Sequence, residues 1–424
     1  MFEKISRIWK VKELRNGILF VAAMLFIFRI AAHIPVPGVD TSGLKEIFEG
    51  NQLLGLINVF SGSSMQNFSI VMLGVAPYIT SSIIFQLLTM VIPKLEELSK
   101  DGDYGRKKIN KWTRYLSVPL ALMQSFGMIT LLQRSAGNVL GDIGPVQMVI
   151  SMLTITAGTV FLMWIGELIT EKNIGNGISF LIFAGIVSGL PTMVGSTLYT
   201  FDKTQIINLV VFAVIALITI VAVVIITEGQ RNIPISYARR VRGNKVYGGS
   251  NTYLPLRVNQ AGVIPIIFAI AIILFPPMIA QLFIGVQTAW VAGIANWVIV
   301  TFQNQVVYGV LYFIMVVAFT YFYTAIIFHP DQIAENLQKQ GGFIPGIRPG
   351  KNTAHYLQNI VTRIVFTGAL FLGLIAVLPL ITAQVTDTQS MVIGGTSLLI
   401  VVSVVIETVN QINAQLSMRD YDEI

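Results

Sequence analysis

Gln205-Ile-Ile-Asn-Leu-Val-Val-Phe-Ala-Val-Ile-Ala-Leu-Ile-Thr-Ile-Val-Ala-Val-Val-Ile-Ile-Thr227 runs without a charged residue, and the segment beside it, 228–259, holds Arg231, Arg239, Arg240, Arg242, Lys245 and Arg257. Crossing about 30 Å of hydrocarbon takes about 20 apolar helical residues, so the run reads as a membrane-spanning helix. The basic segment reads as the cytoplasmic side, where Lys and Arg accumulate next to spans. The same pairing recurs along the chain. Apolar runs cover roughly 17–34, 68–92, 113–134, 146–170, 177–195, 205–227, 260–285, 304–328, 360–382 and 391–411, ten in all.

The gaps between these runs alternate in charge. The N-terminal arm has Lys4, Arg7, Lys10, Lys12 and Arg15, whereas 36–67 has only Lys45. Lys94, Lys100, Arg106, Lys107, Lys108, Lys111 and Arg114 fill the next gap, while 286–302 has no basic residue. The basic gaps are therefore cytoplasmic, and ten crossings leave both termini inside. The expected fold is an all-α polytopic membrane protein. Its N-terminal half is 1–196, a hinge follows at 197–204, the C-terminal half is 205–411, and 412–424 is a cytoplasmic tail. Each half has five spans, an odd number, so the halves have opposite orientation as in inverted-repeat membrane proteins. Gly185, Gly189 and Pro191 interrupt the fifth run.

Composition agrees. The 424 residues are 54% hydrophobic and 12% charged, against about 25% charged in soluble domains. The net charge of +7 sits beside apolar spans, which directs it to anionic headgroups or an acidic partner rather than to nucleic acid. Cysteine is absent, which excludes disulfides and Cys-based metal or redox sites. With no small-residue cleavage site after a short apolar core, Gly17 to Ile34 reads as a retained span.

Three gaps carry more than orientation. Asn51-Gln-Leu-Leu-Gly-Leu-Ile-Asn-Val-Phe-Ser-Gly-Ser63 contains an apolar stretch of about 15 Å as a helix, too short to cross. It is either re-entrant or a helix on the outer surface. Ile235 to Tyr247 alternates about Arg242-Gly243-Asn244-Lys245, a hairpin with its turn at Gly-Asn. Residues 331–340 form a short polar helix after Pro330 that stops at Gly341-Gly342, and Phe343-Ile-Pro-Gly-Ile-Arg-Pro-Gly350 follows as a rigid loop. The loops 228–259 and 330–359 exceed what a helix connection needs and read as docking surfaces.

No catalytic constellation emerges. His33, His329 and His355 have no metal-ligand spacing, and Gly350-Lys351-Asn352 lacks the first Gly and the Ser/Thr of a phosphate loop. The chain is not expected to be an enzyme or to carry a cofactor, so any work it does draws on a partner or on the membrane potential. Arg29, Glu167, Arg363 and Glu407 are the ionisable candidates inside spans, all toward span ends. A coupled small-solute transporter usually needs a midplane carboxylate, so this distribution counts against that class. In the second run, Gly74-Val-Ala-Pro-Tyr-Ile-Thr80 breaks the helix, and Thr80-Ser81-Ser82 and Gln86 make a polar strip. Such residues serve close helix packing or a separable seam.

Four stretches resemble signatures of the SecY family of protein-translocation channels. They are Gly62-Ser-Ser-Met-Gln-Asn-Phe-Ser-Ile-Val-Met-Leu-Gly-Val-Ala-Pro-Tyr-Ile-Thr-Ser-Ser82, Trp164-Ile-Gly-Glu-Leu-Ile-Thr-Glu-Lys-Asn-Ile-Gly-Asn-Gly-Ile-Ser179, Val258-Asn-Gln-Ala-Gly-Val-Ile-Pro265 and Phe343-Ile-Pro-Gly-Ile-Arg-Pro-Gly350. The resemblance runs from the basic arm to the last span. It implies a clamshell of two five-helix halves around an hourglass pore, passing secretory precursors and releasing helices sideways into the lipid of the bacterial cytoplasmic membrane. It puts the constriction on Val75, Ile79, Ile178, Ile182, Ile267 and Ile400. An aliphatic collar gives an ion no ligands and stops conduction by dewetting. Val75 stands where isoleucine is commonest, which should loosen the seal slightly.

The resemblance makes 53–63 a plug helix, with Leu53, Leu54, Leu56, Ile57, Val59 and Phe60 as its apolar residues. It implies a lateral gate between the second and third spans and the seventh and eighth, with Thr80, Gln124 and Asn259 bonding across the closed seam and signal sequences competing there. Arg239, Arg240, Arg242, Lys245 and Arg348 become the surface that meets the SecA ATPase or ribosomal RNA. SecE and SecG are the implied companion subunits.

Overall fold

A computed structural model of the chain describes residues 9–37, 61, 64–135, 144–199, 206–237, 240–242, 245–247, 251–283, 288–386 and 394–422. Each of the ten apolar runs lies mostly in a helix. In chain order these are Lys12–Ala31 (α1), Ala76–Val91 (α2) with its continuation Pro93–Lys100 (α3), Gly102–Ser135 (α4), Pro145–Thr170 (α5), Gly177–Tyr199 (α6) and Ile206–Glu228 (α7). Strands Gln230–Tyr237 (β1), Arg240–Arg242 (β2), Lys245–Tyr247 (β3) and Asn251–Arg257 (β4) follow. Then come Ile264–Phe283 (α8), Ala289–Gln303 (α9), Gln305–Ile327 (α10), Pro330–Lys339 (α11), Gly342–Phe343 (β5), Lys351–Thr386 (α12) and Gly394–Asp422 (α13). Six of them, α1, α4, α5, α10, α12 and α13, are long and apolar enough to cross a bilayer by length and composition. The apolar stretches of α6, α7 and α8 are shorter. The chain is a multi-pass helical membrane protein.

Several details follow from backbone chemistry. The second run becomes helical only at Ala76, because residues 64–75 are folded as turns. Gly74 at φ +57° takes a conformation that strains side-chain-bearing residues, and Pro77 follows in the first helical turn, where its missing N–H is harmless. Val36, Met65, Phe68, Met72 and Leu73 pack with Met128, Ile129 and Leu132 of α4 and Ile155 of α5. Val36 N donates to Phe68 O at 2.9 Å and Ile70 N to Ile34 O at 3.0 Å, which ties the end of α1 to this segment. The start of α2 is thereby fixed from three sides.

At its other end α2 bends by 105° into α3 at Pro93. Helix α4 then begins at Gly102, so Arg106, Lys107, Lys108, Lys111 and Arg114 lie on helix rather than on a connecting loop. The interruption expected at Gly185, Gly189 and Pro191 does not occur, and α6 continues to Tyr199. A span that lost its helical hydrogen bonds in lipid would leave polar groups unpaired, so proline is absorbed within the helix.

The loop expected as a hairpin is one, with Arg240 opposite Tyr247, Val241 opposite Val246 and Arg242 opposite Lys245. Its stem is the antiparallel pair β1–β4, and β5 adds to the other edge of β1 through Ser236–Phe343 and Tyr237–Gly342. The sheet order is β4-β1-β5. Ile233 and Leu256 from this sheet, with Ile344 just past β5, pack on Leu357, Ile360, Val361 and Val365 of α12. The two long loops, 228–259 and 330–359, thus form one platform seated on α12.

Candidate functional site

The largest apolar cluster draws from both ends of the chain. Val75 at the head of α2, Ile182 on α6 and Ile400 on α13 are buried in it, and Ile79 on α2, Ile178 on α6 and Ile267 on α8 pack against it. Helix α8 packs on α2, and α13 packs on α6. Four helices therefore bring all six expected constriction residues into one apolar cluster. Aliphatic side chains of this kind offer an ion no ligands.

Ile178 is seated by a glycine. At Gly166 on α5, an added Cβ would lie 2.8 Å from Ile178 Cδ1. At Gly177 it would collide with the Gly166 carbonyl oxygen. The two glycines let α5 and α6 approach closely around the turn that joins them, and this approach sets where the isoleucine stands. Both lie in a stretch whose resemblance was recognised, but their role depends on a contact between helices, which no local pattern encodes.

Along the contact of α2 and α4 with α8, polar groups are buried. Gln124 Nε2 on α4 donates to Thr80 Oγ1 on α2 at 3.5 Å, and Thr80 donates to Ala76 O at 3.0 Å. This bond joins two helices on one side of the seam and does not cross it. Asn259 Nδ2, just before α8, donates to Gly262 O at 3.2 Å. Its Oδ1 is buried and makes no hydrogen bond among the described residues, as is the case for Oε1 of Gln86 and of Gln260. A buried amide oxygen without a partner costs free energy that a new partner would recover. Arg114 Nε and Glu167 Oε1, 2.6 Å apart, link α4 to α5.

On the platform, Arg348 is exposed, and its carbonyl accepts from Thr353 Oγ1 at 3.1 Å, where the loop enters α12. Gly346 at φ +83° and Gly350 at φ +98° shape that loop. Arg240, Arg242 and Lys245 are on the hairpin strands, and Arg239 lies outside the described residues. So do Leu53, Leu54, Leu56, Ile57, Val59 and Phe60 of the expected plug.

The SecY family model matches residues 69–409, which takes in α2 through most of α13. The chain belongs to the SecY family. A protein translocase subunit SecY from Streptomyces galbus is 42% identical over 443 aligned positions, covering 100% of this chain and 99% of that protein. Among solved structures, one described as that of a protein conducting channel superposes with TM-score 0.64 at 19% identity, covering 93% of this chain and 91% of the other. Another, concerning the plug domain of the SecY protein, superposes with TM-score 0.62 at 19% identity, covering 93% and 91%. At that identity the likeness is one of fold. The bundle with its sheet platform is therefore the SecY-family fold.

Some contacts of this SecY-family bundle were not foreseen in the sequence. Gln415 Nε2 on α13 donates to Asn173 O, beyond α5, at 2.7 Å, and Asn410 Nδ2 donates to Glu228 Oε1 at 3.0 Å. The last helix thereby joins the turn after α5 to the end of α7. Glu167 was noted as an ionisable residue within a span, and Arg114 as one of a basic group; only the packing of α4 on α5 pairs them.

Proposed function

We propose that this chain is the channel of a protein translocase: it passes secretory polypeptides across the bacterial cytoplasmic membrane and releases apolar helices sideways into lipid. The observation that carries the reading is the gathering of Val75, Ile79, Ile178, Ile182, Ile267 and Ile400 in one apolar cluster. In this reading they form the constriction, and ten spans fold as inverted halves, 1–196 and 205–411, hinged at 197–204 with both termini cytoplasmic. Residues 53–63 act as the plug that closes the pore.

The contact of α2 and α4 with α8 is the lateral gate. Asn259 and Gln260, just before α8, and Gln86, on α2, have buried oxygens with no partner among the described residues, which supports a seam held by packing and weak bonds. An apolar signal sequence replaces helix–helix packing with its own and with lipid contact, at small net cost. The driving force comes from SecA or the ribosome, docked on the platform through Arg239, Arg240, Arg242, Lys245 and Arg348. Arginines suit the carboxylates of a motor and the phosphates of ribosomal RNA alike. SecE and SecG complete the assembly, and no cofactor or catalytic step belongs to this chain.

The test uses proteoliposomes containing the chain with SecE, SecG, SecA and ATP. A signal-bearing precursor should become protected from protease, and a stalled one should photocrosslink to probes at Ile79 and Ile182. Protection without those crosslinks would move the constriction elsewhere. Absence of protection combined with uptake of small solutes would replace the channel with a transporter.

A further inference from the structure

Helix α9 is apolar on both faces, yet the chain covers only one. Ala295 and Ile299 pack against Ala280 of α8. Trp290 is 70% exposed, Ile294 56%, Trp297 68% and Val300 59%, and their spacing places them along the opposite side of the helix. A helix facing water would carry polar groups there, whereas one apolar all round belongs in a core or in lipid. Its 15 residues span about 22 Å and cannot cross a bilayer of about 30 Å.

Its position in the fold selects the occupant. Helix α8 starts beside β4, and α10 ends among the platform contacts of Tyr321 and Phe328, so α9 sits at the ends of α8 and α10 remote from the platform. One residue, Asn304, separates α9 from α10, whose Val306, Val310 and Ile314 are exposed at one-turn intervals on a membrane-crossing helix. The uncovered face of α9 is thus followed directly in the chain by a second exposed apolar strip, on α10. Two tryptophans on the α9 face match the amphipathic rings that collect at headgroup depth. Residues 288–303 carry no charge, so attraction to anionic lipid contributes nothing.

We propose that α9 is an interfacial anchor. Its Trp290, Ile294, Trp297 and Val300 face lies at the headgroup–acyl boundary of the leaflet opposite the platform and ties the ends of α8 and α10 to that surface. Because α8 is one wall of the seam, the anchor holds that wall at a fixed depth while the helices separate.

The absence of cysteine allows nitroxide labels to be placed singly in the full chain. Labels at Ile294→Cys and Val300→Cys would be read in phosphatidylcholine vesicles with and without phosphatidylglycerol, against references at Val310→Cys and Tyr104→Cys. Tyr104 is exposed near the start of α4. The expected result is collision with oxygen over collision with a water-soluble nickel chelate several-fold higher than at Tyr104→Cys, and unchanged by phosphatidylglycerol. A ratio equal to that at Tyr104→Cys overturns the proposal, since the face then meets water. Shielding from both reagents also overturns it, since protein, such as a second copy, then covers the face. The inference rests on α10 spanning the bilayer, and the Val310→Cys label reports on that separately.

Discussion

Replacing Gly166 by alanine tests how Ile178, a residue of the proposed constriction, is seated. The new Cβ would stand 2.8 Å from Ile178 Cδ1, and ordinary contact begins at 3.4 Å, so the isoleucine tip must retreat by 0.6 Å into the apolar cluster it shares with Ile79, Ile182 and Ile400. Overpacking of this kind costs about 1–3 kcal/mol. Alanine in place of a mid-helix glycine returns about 1 kcal/mol. The single variant should therefore lose about 0–2 kcal/mol and, with its constriction displaced, leak ions faster. Ile178→Val deletes Cδ1 itself; the next atoms, Leu181 Cδ1 at 3.5 Å and Ile178 Cγ1 at 3.6 Å, are already at ordinary contact. Alone that change costs about 0.5–1.5 kcal/mol.

Combined, the two should fall close to the parent, a coupling of about 1–3 kcal/mol. The assay is thermal unfolding of the four proteins in detergent, with ion flux from proteoliposomes measured in parallel. If the double variant loses the sum of the single losses to within about 0.5 kcal/mol, Gly166 does not position Ile178 and the reasoning fails.

Arg348→Glu should abolish SecA-driven protection of precursors while leaving the purified chain with its parental melting temperature, because the side chain is exposed and only its carbonyl is engaged; export at the parental rate would remove its docking role. Deleting 53–63 should raise resting ion conductance, and unchanged conductance would argue against a plug there. Glu167→Gln leaves Arg114 without its ionic partner at 2.6 Å; with Arg114 half exposed, the loss in unfolding free energy should stay below about 1 kcal/mol, and a larger loss in thermal unfolding would show the pair to be more shielded than it stands here.

Periodicity could not have found helix α9. Residues 286–302 show in the sequence only as a gap without basic residues, because a 15-residue apolar helix is too short to count as a span and carries no charged face to mark its period. The sheet platform was half legible. The turn at Gly243-Asn244 announced β2 and β3, whereas the addition of β5 to β1 joins residues more than 100 positions apart. Thr80 and Gln124 were singled out as gate residues, yet whether their bond crosses the seam depends on which helix faces which.

Along one dimension, the chain determined where its helices lie. Long uncharged runs must become helices because lipid offers the backbone no other partner, and the Lys and Arg between them fix which side each gap prefers. The four signature stretches named the family for the same reason: they are contiguous, and contiguity survives in a string of letters. Tertiary structure decided which apolar residues share a cluster. Val75, Ile79, Ile178, Ile182, Ile267 and Ile400 are ordinary apolar residues in apolar helices, and only the family resemblance, not their composition or spacing, sets them apart in the sequence. Their common cluster arises from the packing of α8 on α2 and of α13 on α6, and from glycines such as Gly166 whose value lies in the neighbour they admit. Packing of this sort is a relation between distant segments, so it comes into being only when the helices are assembled.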